Sequence, residues 1–159
     1  MAVNLSEPVT ADLTIQQVAR RTGLSESALR YYERIGLIDP VPRDDSSGHR
    51  RFPPDLVATV ESLACLRGTG MSVRDMRSYV ANMRDGADAV DAQQRLFADH
   101  AQRLADEIAR LQVRRSYVAA KAQLWQARCD GDAAAERTLI PRIVELSNRL
   151  LNQEATDGR

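Results

Sequence analysis

The run from Ser25 to Phe52, SESALRYYERIGLIDPVPRDDSSGHRRF, decides the fold predicted for this chain. Its first third indicates a short helix, because Ser25 is a strong N-cap and Gly36 ends the apolar helical period. The prolines that follow favour extended chain, and the cluster DDSSG is typical of a tight turn. Residues 41–52 are therefore predicted to form a small β-hairpin, here called the wing.

Another short helix precedes this run. Thr14 followed by Gln17 is a capping box, and Gly23 ends that helix after about two turns. Two short helices joined by a Gly-containing turn form a helix-turn-helix. A proline pair after the wing and a later serine cap predict a third and a fourth helix. We therefore predict one winged helix-turn-helix domain over residues 13–84.

The stretch 89–129 contains neither Gly nor Pro and bears a seven-residue repeat of apolar side chains. We predict a helix over residues 87–130, about 60 Å long at ~1.5 Å per residue. A lone helix of that length cannot bury its stripe, so the simplest partner is the same helix of a second copy, in a homodimeric coiled coil. The alternative is a helix folded back on its own domain. The predicted dimerisation residues are Val90, Phe97, Leu104, Ile108, Leu111, Val118 and Trp125.

The remaining segments are short. Residues 132–151 predict one more amphipathic helix, which caps the coiled coil or lines an effector pocket. Residues 1–12 are predicted to be a flexible lead-in and residues 152–159 a disordered tail. The predicted fold class is therefore mainly α: an N-terminal winged helix-turn-helix with a small β-hairpin wing, a long dimerisation helix and a short C-terminal helix.

Composition gives no direct hint of nucleic acid, because 22 basic and 22 acidic residues cancel. Any DNA-binding surface must therefore come from local arrangement. Cys65 and Cys129 lie far apart in sequence, which favours a reducing, intracellular setting and argues against a disulfide framework or a structural zinc site. No signal peptide and no apolar stretch of roughly 20 residues is evident. We expect a cytoplasmic protein with no cofactor, no metal and no membrane partner.

One motif series carries a family resemblance. It comprises Leu29-Arg30-Tyr31-Tyr32-Glu33, Gly36-Leu37-Ile38, Pro42-Arg43, Gly48-His49-Arg50-Arg51-Phe52 and Gly70-Met71-Ser72. The series resembles the DNA-binding domain of the MerR family of transcription regulators over residues 13–82. The resemblance implies a homodimer that binds an inverted repeat of double-stranded DNA in a promoter spacer. It also implies that the dimer distorts this DNA, so that RNA polymerase, an indirect partner, engages both promoter elements.

Within this resemblance, the start of the second helix is expected to enter the major groove and the wing to contact phosphates. Arg30 suits a phosphate or a guanine edge, and Glu26 suits the amino group of cytosine. One tyrosine of the pair is expected in the core and the other on the DNA backbone. The alternative for the wing is a solvated charge cluster partly neutralised by acidic neighbours. The predicted DNA-contact residues are Thr14, Ser25, Glu26, Ser27, Arg30, Tyr31, Tyr32, Arg43, His49, Arg50 and Arg51.

The signal that the protein senses is open between two hypotheses. Cys65 looks like the single cysteine of the AdhR/NmlR-like regulators, which respond to aldehyde and nitrosative stress, and nearby Arg67 would favour its thiolate. The alternative for Cys65 is a small buried hydrophobic residue. The second hypothesis is a small organic effector in a pocket near Trp125 and Tyr117. A metal sensor is disfavoured, because the chain has too few soft ligands.

The alternative function is an excisionase-like architectural protein, which bends DNA without acting as a promoter switch. The long dimerising helix speaks against this alternative. An enzyme is not indicated, because the sequence offers no nucleophile–base pair and no phosphate-cradling glycine loop.

Overall fold

The structure, a computed structural model, describes residues 8–157, with side chains described for residues 8–152. The described residues divide into two compact units, the first ending at Phe97 and the second beginning at Ala98. A short 3-10 turn, Gly86–Ala89, lies between the fourth and fifth helices. The predicted mainly α class is confirmed. The elements are β1 (Leu13–Thr14), α1 (Ile15–Thr22), α2 (Glu26–Arg34), β2 (Arg51–Phe52), α3 (Pro54–Gly68), α4 (Val73–Asp85), α5 (Val90–Asp130) and α6 (Ala133–Asp157).

Side-chain caps fix where the first helices begin. At α1 the capping box is complete: the Thr14 amide donates to Gln17 Oε1 at 2.7 Å, and the Gln17 amide donates to Thr14 Oγ1 at 3.3 Å. At α2 the Ser25 hydroxyl oxygen accepts from the Ala28 amide at 3.1 Å. Such a cap satisfies backbone donors that the helix itself leaves unpaired, and it stabilises a helix by about 1 kcal/mol.

The first unit holds one hydrophobic core beneath α1 to α4 and the wing. Each fully buried large apolar side chain contributes about 1.5–3 kcal/mol relative to exposure. The largest buried side chains are Tyr32, Phe52, Leu29, Leu37, Ile38, Leu63, Met76, Val18, Val57 and Val60. Because α2 and β2 both contribute to this core, the helix and the base of the wing are held as one body.

The strand pairing differs in part from the prediction. The wing hairpin is present, with a bridge between Arg43 and Arg50. Its regular strand β2, however, pairs antiparallel with β1, the segment just before α1, in the register Leu13 to Phe52 and Thr14 to Arg51. The base of the wing is therefore hydrogen-bonded to the start of α1, which sets the position of the wing relative to the helix-turn-helix.

In the second unit, α5 turns at Gly131 into α6. The apolar side chains buried on α5 are Ala120, Leu124 and Ala127, and Leu146 is buried on α6. An ion pair between Arg128 and Glu136, at 2.7 Å, joins the two helices across the turn. The packing of α6 on α5 leaves most of the predicted dimerisation stripe exposed. The exposed members in this unit are Ile108, Leu111, Val118 and Trp125, while Leu104 is half-buried.

One member of the predicted stripe has a partner within the first unit. The ring of Phe97 lies edge-on to that of Tyr79 on α4, with centroids 5.9 Å apart. Val90, at the start of α5, is 61% exposed. Phe97 therefore packs in part on its own chain.

The chain ends also differ from the prediction. Helix α6 runs unbroken through Pro141 to Asp157, past the predicted end at residue 151. Residues 1–7 and 158–159, the remainder of the predicted flexible ends, lie outside the described residues. Val9 packs against the core. Over the part of the chain that is described, no helix is long and apolar enough to span a bilayer.

Candidate nucleic-acid interface

Helix α2 presents one polar face to solvent. Leu29 and Tyr32 bury its opposite side in the core. The exposed positions follow the spacing of one helical stripe, i, i+3, i+4 and i+7. They are Ser27, Arg30, Tyr31 and Arg34. Four of the predicted contacts, Ser25, Ser27, Arg30 and Tyr31, therefore lie at the surface of this helix.

The start of α2 has its own hydrogen-bond pattern. The hydroxyls of Ser25 and Ser27 lie 2.8 Å apart, and Ser25 also caps the helix. Arg30 pairs with Glu26 one turn earlier, at 2.8 Å, and about half of the Arg30 side chain is exposed. An exposed pair of this kind is worth only about 0.3–0.5 kcal/mol. A phosphate or a base edge can therefore replace either partner at little cost.

The wing is shaped by one carboxylate. Asp44 Oδ1 accepts hydrogen bonds from the side chains and amides of Ser46 and Ser47, at 2.5 to 3.0 Å. The side-chain bond from Ser46 is the strongest of these influences, and together they hold the pKa of Asp44 well below its usual range. Gly48, with φ of 67°, completes the turn in a conformation that favours glycine.

The three wing arginines differ in their partners. Arg50 Nε donates to Glu33 Oε2 at 2.9 Å, and Arg51 lies 3.7 Å from Asp44. Arg43 donates to the Gly48 carbonyl at 3.0 Å and has no carboxylate partner among the described residues. Of the three, Arg43 is therefore the one best suited to the predicted phosphate contact, whereas neighbouring carboxylates partly neutralise the other two, as the alternative expected.

A groove of about 320 Å³ joins the wing to the two helices of the helix-turn-helix. It brings together six predicted contact residues, two of which, Thr14 and Arg30, come from outside the wing. Its lining is Thr14, Ile15, Gln16, Arg30, Arg43, Gly48, His49, Arg50 and Arg51. The lining contains four arginines and no carboxylate residue, so the groove favours an anionic ligand.

A second cationic cluster lies at the other end of α2, and the sequence reasoning missed it. The Arg34 guanidinium lies 5.4 Å from the centroid of the Tyr31 ring. Arg77, from α4, donates to the Ile35 carbonyl at 2.8 Å. The helical spacing from Ser27 to Arg34 would have indicated Arg34. Nothing local in the sequence indicates that α4 brings an arginine to this place.

The tyrosine pair is resolved by burial. Tyr32 is fully buried, and its hydroxyl lies 3.3 Å from Arg67 Nη1, which donates to it. This hydrogen bond raises the pKa of Arg67 above its ordinary value. Tyr32 is therefore a core residue, and its prediction as a DNA contact is wrong. Tyr31 is 39% exposed and remains a candidate.

Of the candidate sensing residues, Cys65 and Trp125 are exposed, whereas Tyr117 is half-buried. Cys65 lies at the surface of α3, so the alternative of a small buried hydrophobic residue is wrong. The cavity beside α5 and α6, about 470 Å³, is lined by polar side chains, alanines and Leu139. Neither Trp125 nor Tyr117 lines it, so the predicted aromatic pocket is not formed there. Within the described residues, no group of three or more His, Cys, Asp or Glu side chains could hold a metal ion.

The helix-turn-helix, the wing and the cationic face together define a DNA-binding protein of the winged-helix class. The model of the MerR family regulatory protein matches residues 14–52, from the α1 cap to the end of β2. A curated HTH-type transcriptional regulator of Haemophilus influenzae, itself uncharacterized, is 30% identical over 135 residues, which are 84% of this chain and 98% of that protein. The chain belongs to the MerR family of regulatory proteins.

Further relatives agree with this assignment. The transcriptional regulator AdhR of Bacillus subtilis is 39% identical over 92 residues, which are 58% of this chain and 65% of AdhR. The aligned part of this chain thus spans just under two thirds of the length of AdhR.

Two solved structures have a similar fold. A putative MerR family regulator from Listeria monocytogenes superposes with a TM-score of 0.62 at 26% identity, covering 89% of this chain and 98% of that one. HiNmlR, a MerR family regulator lacking the sensor domain and solved bound to promoter DNA, superposes with a TM-score of 0.59 at 29% identity. The superposition with HiNmlR covers 78% of this chain and 98% of HiNmlR.

Proposed function

We propose that this protein is a homodimeric regulator that binds an inverted-repeat operator in a promoter spacer and controls transcription by distorting that DNA. The observation that carries the proposal is the groove in which Arg30 from α2 meets Arg43 and Arg51 from the wing. A helix face and an adjacent ribbon that share one cationic surface match the way a winged helix reads a groove and holds the neighbouring phosphates.

The dimensions of α2 fit this role. The stripe from Ser27 to Arg34 spans about 10 Å along the helix axis at ~1.5 Å per residue, comparable to a major groove ~12 Å wide. Ser27 and Arg30 supply donors for base edges or phosphates. The second cluster, Arg34 with Arg77, lies at the C-terminal end of the stripe and adds candidate phosphate contacts.

The dimer is proposed on the exposed stripe of α5. Leu111, Val118 and Trp125 are 51%, 66% and 58% exposed, which is unusual for large apolar side chains at regular helical spacing. A coiled-coil seam also uses the position four residues after each member of the repeat, and Arg115 occupies that position after Leu111. A parallel pairing would place Arg115 against the Arg115 of the second copy. An antiparallel pairing avoids this repulsion. A two-fold dimer binds two half-sites, which accounts for an inverted repeat.

The proposed signal is a thiol-reactive electrophile acting at Cys65. The support is the exposure of Cys65 on α3, a helix of the DNA-binding unit. AdhR, the relative named above, is a further reason to test aldehydes first. We place the protein in the cytoplasm, where promoter DNA and a reduced thiol coexist.

The operator hypothesis is tested by fluorescence anisotropy with DNA from the promoter region upstream of the gene, over a series of salt concentrations. Arg43→Ala should weaken binding and lower the slope of log K against log salt by about 2, since each phosphate contact contributes ~0.9 and a dimer loses two contacts. The matched control is Arg142→Ala, an exposed arginine of α6, which should change neither quantity.

Footprinting with the same DNA locates the site. Protection of both halves of an inverted repeat between two promoter elements is the expected pattern. Binding of a monomer, or an unchanged salt slope in Arg43→Ala, would contradict the proposal.

The signal hypothesis needs its own assay. In vitro transcription with an added aldehyde should respond in the unsubstituted protein and in Cys129→Ser, but not in Cys65→Ser. A full response in Cys65→Ser would remove the thiol hypothesis and leave the DNA-binding role intact.

A further inference from the structure

A second cavity lies within the DNA-binding unit, away from the cationic groove. Its volume is about 480 Å³, inside the range of ~300–1,000 Å³ that is usual for small-molecule sites. Three segments line it. They are residues 37–42, here called the connection, which follow α2 and include the first two residues of the wing; α3 with the proline before it; and the end of α4. No residue of the proposed DNA-contact set lines it.

The lining of the cavity combines apolar side chains with polar and charged ones. Its apolar part includes the rings of Pro40, Pro42 and Pro53 and the side chains of Tyr79 and Met83 of α4. Met83 is 61% exposed. A flexible, polarisable side chain that faces a cleft is well suited to pack on a variable apolar ligand. The side chains that the fold itself needs, such as Leu37 and Val80, are buried behind this surface.

The charged groups at the rim of the cavity are mostly acidic. Arg84 pairs with Asp39, and this ion pair joins α4 to the connection. Asp55, also in the lining, has no ion-pair partner among the described residues. The rim thus carries two carboxylates and one guanidinium. A cationic group is favoured there and an anionic group is disfavoured.

We propose that this cavity binds a small organic amine with an apolar ring, and that this amine is a regulatory ligand of the DNA-binding unit. The apolar ring lies between the prolines and Met83, and the ammonium group lies beside Asp55. The regulatory part of the proposal rests on the DNA-binding function proposed above, whereas the binding part does not.

The hydrogen bonds behind the cavity connect it to the wing. The amide of Val41, in the connection, donates to Glu33 Oε1 at 3.0 Å, and Glu33 Oε2 accepts from Arg50 of the wing at 2.9 Å. A ligand that orders the connection therefore orders the wing as well. Coupling of this kind changes the affinity for the second ligand by about 5- to 150-fold.

The binding experiment is an NMR titration of the isotope-labelled full-length chain with phenethylamine. Phenethyl alcohol and phenylacetate serve as neutral and anionic analogues of the same shape. Saturable shifts are expected at Ala58 and Thr59 in the cavity wall. The amine should bind up to about fivefold more tightly than the alcohol, the contribution of one exposed ion pair.

Substitutions then separate the ring site from the charge site. Asp55→Asn should remove the preference for the amine while binding of the alcohol persists. Ala58→Phe fills the cavity and should abolish binding of both compounds. The matched control, Ala81→Phe, adds the same ring to an exposed position of α4 outside the cavity, and binding should be retained. Asp55→Asn keeps the test decisive if Ala58→Phe does not fold.

Operator binding is measured on the same variants, so that a failure of the ligand site can be distinguished from a failure of the proposed DNA-binding function. The ligand site would be overturned by the absence of saturable shifts or by tighter binding of phenylacetate. It would also be overturned if Ala58→Phe dissociates the dimer, because the cavity would then be an interface between copies. Operator affinity that phenethylamine leaves unchanged at saturation would overturn its regulatory role. A chain that binds the amine but no DNA would keep the site and remove the proposed function.

Discussion

Glu33 joins three parts of the DNA-binding unit, and its removal gives a sharp prediction. One carboxylate oxygen accepts from the buried amide of Val41 at 3.0 Å, and the other accepts from Arg50 at 2.9 Å. Glu33→Ala leaves the Val41 amide without an acceptor, and water cannot readily replace it because Val41 is only 6% exposed. Leaving a buried donor unsatisfied costs about 1–3 kcal/mol. The half-buried ion pair adds up to about 1 kcal/mol.

The free energy of unfolding should therefore fall by about 2 kcal/mol, a large fraction of the ~5–15 kcal/mol of a typical domain. With a urea m-value of ~1–3 kcal/mol/M, the unfolding midpoint should move down by about 1 M. The measurement is urea unfolding followed by circular dichroism at one fixed chain concentration, because the proposed dimerisation would make the stability depend on concentration.

The matched control is Glu145→Ala, which removes an exposed ion pair with Arg149 one turn away on α6. Its expected cost is about 0.3–0.5 kcal/mol. If Glu33→Ala is as mild as Glu145→Ala, then Glu33 does not hold the connection and the wing together, and the coupling inferred from it is refuted.

Three further predictions concern the cap, the wing and the seam. Thr14→Ala should cost about 1 kcal/mol by thermal unfolding, because it removes the α1 cap; an unchanged melting temperature would contradict this. In an NMR pH titration, the carboxyl carbon of Asp44 should report a pKa well below the ordinary ~3.9. Because that pKa is lowered on folding, the wing turn should keep its full stability above this ordinary value and lose it as the pH falls further. Leu111→Glu should give a monomer by light scattering, whereas exposed Gln112→Glu should remain a dimer.

Most of the secondary structure of the first unit could be predicted from local sequence patterns. The caps at Thr14 and Ser25, and the ends of the helices they begin, depend on residues three or four positions away, so the sequence displays them directly. The wing was predictable for the same reason, because its turn is built within five residues, 44–48. The motif series that resembles the family adds the expected order of these elements.

Non-local contacts account for what the sequence did not reveal. The pairing of Leu13 with Phe52 joins strands that are far apart in the chain, and neither strand has a pattern long enough to predict it. The burial of Tyr32 beside an exposed Tyr31 depends on which side of α2 meets the core. The exposure of Cys65 likewise depends on how α3 packs, since its neighbours in sequence are mostly apolar.

The long helix shows how far periodicity alone can go. At ~100° per residue, the buried face of α5, Ala120 with Leu124 and Ala127, and the exposed stripe, Leu111 with Val118 and Trp125, lie about 150° apart. A helix with a single apolar face could bury that face within its own unit, as the fold-back alternative requires. No apolar face would then remain for a second copy of the helix. Helix α5 instead has two nearly opposite apolar faces. One is covered within the chain, while the large residues of the other stay exposed. The seven-residue repeat picked out the exposed face, which supports a second copy as its partner.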